Sequence, residues 1–169
     1  MKNIILIGFM GCGKTSVGKR LAQSLNMDFL DTDQLIEEWN GKTISDIFAE
    51  EGESAFRVME TDCLKKLLEQ ARNPFILSVG GGLPIREENR KLLSQIGHVI
   101  YLKVSAEVVY KRLRNDKTRP LLQDANPRGR IVDLMSVRKQ YYEGAADTII
   151  EVSEKDFETI VEEIIKNVS

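Results

Sequence analysis

Short apolar runs alternate along the chain with segments whose apolar residues recur every three to four positions. The runs Asn3–Ile7, Phe29–Leu30 with its flanks, Phe75–Val79, Val99–Val104 and Thr148–Val152 predict five strands. Alternation of such runs with helix-period segments predicts an α/β fold, a parallel sheet covered by helices. The first helix is expected over Ser16 to Leu25 and the last, amphipathic, over Lys155–Val168. Residues 33 to 74 form a longer insertion with more than one helix. In it Phe56, Met59, Cys63, Leu64, Leu67, Leu68 and Ala71 recur at helical spacing as a core-facing stripe, with Arg57 at its border. Residues 113 to 130 are polar and broken by Pro and Gly, between helical patterns over Ala106–Leu113 and Ile131–Tyr142. A loop of that length in a compact domain is usually functional, and its arginines predict a mobile lid.

The strand ends carry the chemistry. Gly8 follows the first strand, Asp31 the second and Gly80 the third. Open α/β sheets bind ligands at the C-terminal ends of their strands, so these three segments are expected to share one site. Residues Gly8 to Thr15 read G-x-x-x-x-G-K-[ST], a phosphate-binding loop that leaves a strand and opens a helix. Glycines let its backbone N–H groups converge on phosphate oxygens. Lys14 is expected to bridge the β- and γ-phosphates of a nucleotide, and the Thr15 hydroxyl to sit on Mg²⁺. Asp31 and Asp33, two residues apart in an extended segment, would point the same way. Phosphoryl transfer needs a positioned Mg²⁺ and a group that accepts the substrate hydroxyl proton. Asp31 is assigned to the metal side, through water, and Asp33 to the acceptor side. Taken alone, Asp33 would read as a helix N-cap before Gln34 to Glu37.

Gly80-Gly81-Gly82 has no side chains to offer, so it serves either as a turn before the helix near Pro84 or as backbone that approaches a ligand closely. Ligand contact is the stronger reading. Arg57, Arg119 and Arg138 are candidates for forked binding of carboxylate or phosphate. Arg72, Arg86 and Arg90 read as solvated surface, and the lone His98 as structural. A chain of 169 residues with a net charge of −2 is expected to be one domain with no nucleic-acid footprint. Cys12 and Cys63 are too few for a disulfide framework or metal site, and are expected as reduced thiols in a cytoplasmic protein. No signal peptide or membrane-spanning run is read.

Taken in order, these residues resemble the shikimate kinase family: Gly8–Thr15, Leu30-Asp31-Thr32-Asp33, Gly52-Glu53 followed by Phe56-Arg57, Gly80–Gly82, Arg119-Pro120-Leu121-Leu122, and Arg138 followed by Tyr141. The resemblance implies a P-loop fold of the nucleoside-monophosphate-kinase type, with a five-stranded parallel sheet, a substrate-binding insertion and a lid. It implies transfer of the ATP γ-phosphate to the 3-hydroxyl of shikimate, a step towards chorismate and the aromatic amino acids; a monomer is expected. By position, Lys14, Asp33 and Arg119 look like the catalytic residues, and Thr15 and Asp31 like the Mg²⁺ residues. Gly11, Cys12, Gly13, Lys14, Thr15, Ser16, Arg112, Arg119, Pro120 and Lys155 look like the ATP contacts. Asp33, Arg57, Gly80, Gly81, Gly82 and Arg138 look like the shikimate contacts. The residues alone reach only a P-loop kinase of a small hydroxylated anion. A gluconate or nucleoside-monophosphate kinase, or a non-catalytic ATP-binding module, are the rival readings.

Overall fold

The chain builds its sheet around central strands that are apolar on both faces. In a computed structural model describing residues 2–70, 72–114 and 125–169, the strands are β1 (Asn3–Ile7), β2 (Asp28–Asp31), β3 (Phe75–Ser78), β4 (Gly97–Lys103) and β5 (Thr148–Glu151). They pair in parallel in the order β2-β3-β1-β4-β5. Ile4 to Ile7 at the centre and all of β3 are buried, as helices on both faces require. Ile4 stands opposite Ile76 in β3 and opposite His98 in β4. The chain passes from β1 to β2 before returning to place β3 between them. The loops that leave β1 and β3 therefore emerge side by side at one edge of the sheet.

The helices are α1 (Lys14–Leu25), α2 (Thr32–Asn40), α3 (Ile44–Glu51), α4 (Glu53–Glu69), α5 (Glu87–Ile96), α6 (Ala106–Leu113), α7 (Pro127–Ala145) and α8 (Phe157–Val168), with a 3₁₀ turn at Leu83–Ile85. Local chemistry sets most starts. Thr43, Ser105, Asn126 and Asp156 each accept a bond from an N–H of the first turn of α3, α6, α7 and α8. The insertion expected between the second and third strands is α2, α3 and α4. Its apolar stripe is narrower than the sequence pattern indicates: Leu68 is half-exposed, and Ala71 lies outside the described residues. Glu60 occupies a fully buried place in that stripe.

The polar stretch between α6 and α7 is only partly open to description. Residues 115–124, which contain Arg119 and Pro120, lie outside the described residues. Residues 127–130, expected within the lid, instead form the first turn of α7, because Asn126 caps a helix that opens with Pro127.

A buried polar cluster ties α4 to α5 beneath the glycine loop. The Thr61 hydroxyl donates to Asn89 Oδ1 at 2.7 Å, and Asn89 Nδ2 donates to the Leu83 carbonyl at 2.9 Å. Arg86 adds bonds to the Arg57 carbonyl and to Thr61 Oγ1, and Arg90 donates to the Pro84 and Ile85 carbonyls. Arg86 is exposed as expected while Arg90 is half-buried, and both add to that reading by clamping backbone next to the loop. Asn89→Ala should leave buried polar partners unpaired and destabilise the fold by roughly 1–3 kcal/mol. The shift of the urea unfolding midpoint at constant slope measures it.

Candidate active site

The phosphate loop leaves β1 at Gly8 and enters α1 at Lys14. The residue before the helix, Gly13, has φ 95° and provides no side-chain cap. A side chain there would be strained, and its Cβ would press on Phe157 at 3.1 Å. The first N–H groups of α1 therefore point outward unclaimed by a cap, with the positive end of the helix dipole behind them. Lys14 Nζ curls onto its own loop, donating to the Gly8 carbonyl at 2.7 Å and the Phe9 carbonyl at 3.3 Å. Cys12 serves the loop's shape: its side chain is buried and its N–H closes a turn on the Phe9 carbonyl. Arg112 reaches from α6 to donate to the Gly11 carbonyl at 2.7 Å. Lys155 is ion-paired with Glu163 at 2.7 Å and does not line the cavity described next.

A cavity of about 380 Å³ opens where three strand ends meet. The phosphate loop and the start of α1 supply Lys14, Thr15 and Ser16. Asp31 and Asp33 come from the β2 end, and Gly80 and Gly81 from the β3 end. A larger cleft, about 480 Å³, lies at the opposite ends of β2 and β3, between Asp28, Leu30, Arg72, Asn73 and Phe75, away from the phosphate loop.

The two aspartates do not share an extended segment. Asp31 ends β2 and caps α2, its Oδ1 accepting from the N–H groups of Asp33 and Gln34 at 2.9 and 3.2 Å. Asp33 is already inside the helix. Capping, which the sequence pattern offered for Asp33, belongs to Asp31, and the Asp33 carboxylate faces the cavity. Burial, and then the charge of Asp31, push the Asp33 carboxyl above its ordinary range, while Lys14 and Arg57 pull it back.

The glycine loop makes room on two sides. A Cβ at Gly82 would collide with the Arg57 guanidinium at 2.6 Å, and one at Gly81 would sit 3.4 Å from Arg138 Nη1. The loop is held by Gly80 N–H donating to Thr32 Oγ1 and by the Tyr142 hydroxyl donating to the Gly81 carbonyl at 2.7 Å. Arg57 is pinned by Glu60 at 2.7 Å and Glu53 at 3.2 Å, one turn after it and one turn before it on α4. Arg138 comes from α7 and lies over the Phe9 ring, 5.5 Å from its centroid. Arg57 and Arg138 thus border the glycine loop from different helices.

Two residues at the site escaped the sequence reading. Glu60 is fully buried behind Arg57; its signal was a charge at a position of the apolar stripe. Burial raises its carboxyl to about 7 despite the pull of the Arg57 guanidinium. Tyr142, one turn beyond Arg138, supports Gly81. The neighbouring Tyr141, quoted in the sequence pattern, instead lies under the Arg90 guanidinium.

With this geometry in view, the comparisons are specific. A family model described as shikimate kinase matches residues 10–169. A shikimate kinase of Thermodesulfovibrio yellowstonii is 44% identical over 166 residues, covering 98% of this chain and 94% of the relative. One from Bacillus anthracis is 43% identical over 169 residues, covering 100% and 99%. Among solved structures, a shikimate kinase of Acinetobacter baumannii in complex with shikimate superposes with a TM-score of 0.91 at 39% identity, covering 99% of this chain and 93% of that one. One from Aquifex aeolicus gives 0.84 at 35% identity, covering 98% and 95%.

The buried Glu60 makes stability depend on pH. Its carboxyl holds a proton more tightly folded, to about 7, than its ordinary value of 4.5. Its contribution is therefore most favourable below pH 4.5 and is lost as pH rises through about 7. Glu60→Gln removes this titration. The melting temperature of the wild type should fall more between pH 5 and 7.5 than that of the variant, and parallel profiles would contradict the assignment.

Proposed function

The chain belongs to the shikimate kinase family, and on that premise we propose that it transfers the γ-phosphate of ATP to the 3-hydroxyl of shikimate, giving shikimate 3-phosphate and ADP. The observation that carries this reading is the meeting of an uncapped phosphate loop, a cavity-facing Asp33 and two arginines around one glycine loop. Gluconate is also a hydroxylated carboxylate, and what favours shikimate over it is the family match across residues 10–169.

ATP places its phosphates on the loop, against the N–H groups of Gly11 to Ser16. Lys14 then exchanges its bonds to the Gly8 and Phe9 carbonyls for the β- and γ-phosphates. That exchange is short, because the ammonium already lies over the loop. Arg112 stands on the nucleotide side of Gly11. The assignments of Arg119 and Pro120 to the nucleotide rest on the family pattern, since both lie outside the described residues. The pairing of Lys155 with Glu163 would have to open for it to reach adenine.

Thr15 and Asp31 fit a Mg²⁺ ion held mainly by the nucleotide. Both line the cavity, and the Asp31 cap employs only Oδ1. Bound there, Mg²⁺ supplies charge neutralisation for the transferred group.

The acceptor lies over Gly80 to Gly82. Asp33 orients the hydroxyl and accepts its proton as the oxygen attacks phosphorus. Its raised affinity for a proton suits that role at neutral pH. Arg57 and Arg138 hold the carboxylate, and so fix which hydroxyl reaches Asp33. The whole chain acts as one domain and as a monomer in the cytoplasm. No described helix is long and apolar enough to cross a membrane, and Cys12 and Cys63 are both free thiols.

The carboxylate assignment has a direct test. A hydrogen bond to a charged group contributes about 1.5–3 kcal/mol, or roughly ten- to 150-fold in affinity. Arg57→Ala and Arg138→Ala should each raise KM for shikimate by that order with little change in the affinity for ATP. Their losses should not add, because both serve one anion. An analogue with an amide in place of the carboxylate should be a poor substrate for the wild type and nearly indifferent to either substitution. Variants that still preferred acid over amide as strongly as the wild type would place the carboxylate elsewhere.

A further inference from the structure

Glu60 is completely buried, yet only one of its carboxylate oxygens is bonded. Oε1 accepts from Arg57 Nη1 at 2.7 Å, whereas Oε2 has no hydrogen-bond partner among the described residues. Oε2 is turned towards the acceptor space: a Cβ built on Gly80 would lie 3.2 Å from it and 3.1 Å from Asp33 Oδ1. The two acids therefore flank the same volume above the glycine loop.

The charges facing Glu60 come from three helices. Its own helix, α4, presents Arg57, itself shared with Glu53. Asp33 faces it from α2 and Arg138 from α7. The other neighbours are spoken for. Asn89 of α5, uncharged, is bonded to Thr61 and the Leu83 carbonyl, and Glu50 and Glu51 of α3 pair with Lys42. On α4 the Cys63 thiol is pushed up to about 12 by burial and stays neutral.

We infer that binding of the acceptor's carboxylate at Arg57 is coupled to the uptake of one proton by Glu60. The inference rests on the acceptor assignment made above, and adds to it a pH-dependent device in the site. The physical reason is competition for one guanidinium. Arg57 already serves Glu53 and Glu60, and a third anion must draw some of its donors away from Glu60 Oε1. The carboxylate left behind would be buried, weakly paired and close to both Asp33 and the new anion. Such a charge neutralises by taking a proton in place of remaining ionised. The proton comes from solvent; Glu60 passes from carboxylate to carboxylic acid, and no other bond changes. Its empty-site titration near 7 leaves the ionised form available above neutrality, and the acceptor's own carboxylate, ionised throughout this range, contributes no proton. Acceptor affinity should accordingly weaken as pH rises beyond about 7, by at most tenfold per pH unit for a single proton.

Calorimetric titration of the full chain with shikimate, without nucleotide, tests this. At pH 8 the observed enthalpy should vary with the ionisation enthalpy of the buffer, HEPES against Tris, with a slope approaching one proton taken up. The dissociation constant should rise on the order of fivefold or more between pH 7 and 8.5. In Glu60→Gln both dependences should vanish. The amide analogue of shikimate, which brings no anion to Arg57, should bind wild type without proton uptake and serves if the variant does not fold. Shikimate binding with a buffer slope of zero would overturn the inference while leaving the acceptor assignment standing. Undiminished uptake in Glu60→Gln, or with the amide, would overturn it equally by placing the proton on another group. Absence of shikimate binding altogether would overturn the acceptor assignment and the inference with it.

Discussion

Parallel pairing of β1 with β3, from Ile4 opposite Ile76 to Leu6 opposite Ser78, brings the phosphate loop and the glycine loop out of the sheet side by side. Everything chemical in the molecule follows from that adjacency. The loop after β1 carries the anion-binding end of α1, and the loop after β3 carries a surface without side chains. β2, paired on the far side of β3, delivers Asp31 and Asp33 to the same edge. The pairing is enforced by packing: Ile4 to Ile7 and Phe75 to Leu77 are within 2% of fully buried, so a register slip would disrupt close contacts on both faces of the sheet. In the proposed reaction the phosphate loop and the glycine loop, carried on neighbouring strands, would set the distance of transfer.

Charge is the second organising quantity. The glycine-loop side contains Asp33, Glu60 and Glu53 against Arg57 and Arg138, and two of the acids are held above their ordinary range mainly by burial. Such an arrangement stabilises the fold less than apolar packing would. Its value is geometric. Arg57, braced between Glu53 and Glu60 and pressed against Gly82, has few orientations left to lose when an anion arrives. The glycine loop is braced from behind in the same way, by Tyr142, Thr32 and the Thr61–Asn89 cluster.

What was legible in the sequence was local. The phosphate loop, the strand ends and the five strands show in short windows, because loop chemistry and strand burial act over a few residues. Assigning the cap was harder. Asp31 and Asp33 are equally good N-cap residues, and only the end of β2 decides that Asp31 holds the cap while Asp33 turns inward. Arg86 and Arg90 look like surface until α5 folds against α4 and the 3₁₀ turn. Glu60 and Tyr142 gain their meaning from residues distant in sequence, Asp33 and Arg138 for the first and Gly81 for the second. Arg138 was already a candidate for forked anion binding, and the tyrosine that supports the glycine loop stands one helical turn beyond it, at Tyr142.

The central claim is that Asp33 serves chemistry and not the helix in which it stands. Asp33→Asn keeps the shape of the side chain, and Asp31 retains the cap of α2, so the melting temperature should stay the same or rise slightly. Under saturating ATP and shikimate, kcat should fall about 10²-fold or more, the usual scale for loss of a general base. Unchanged kcat, or a loss of activity matched by a comparable loss of stability, would contradict the account.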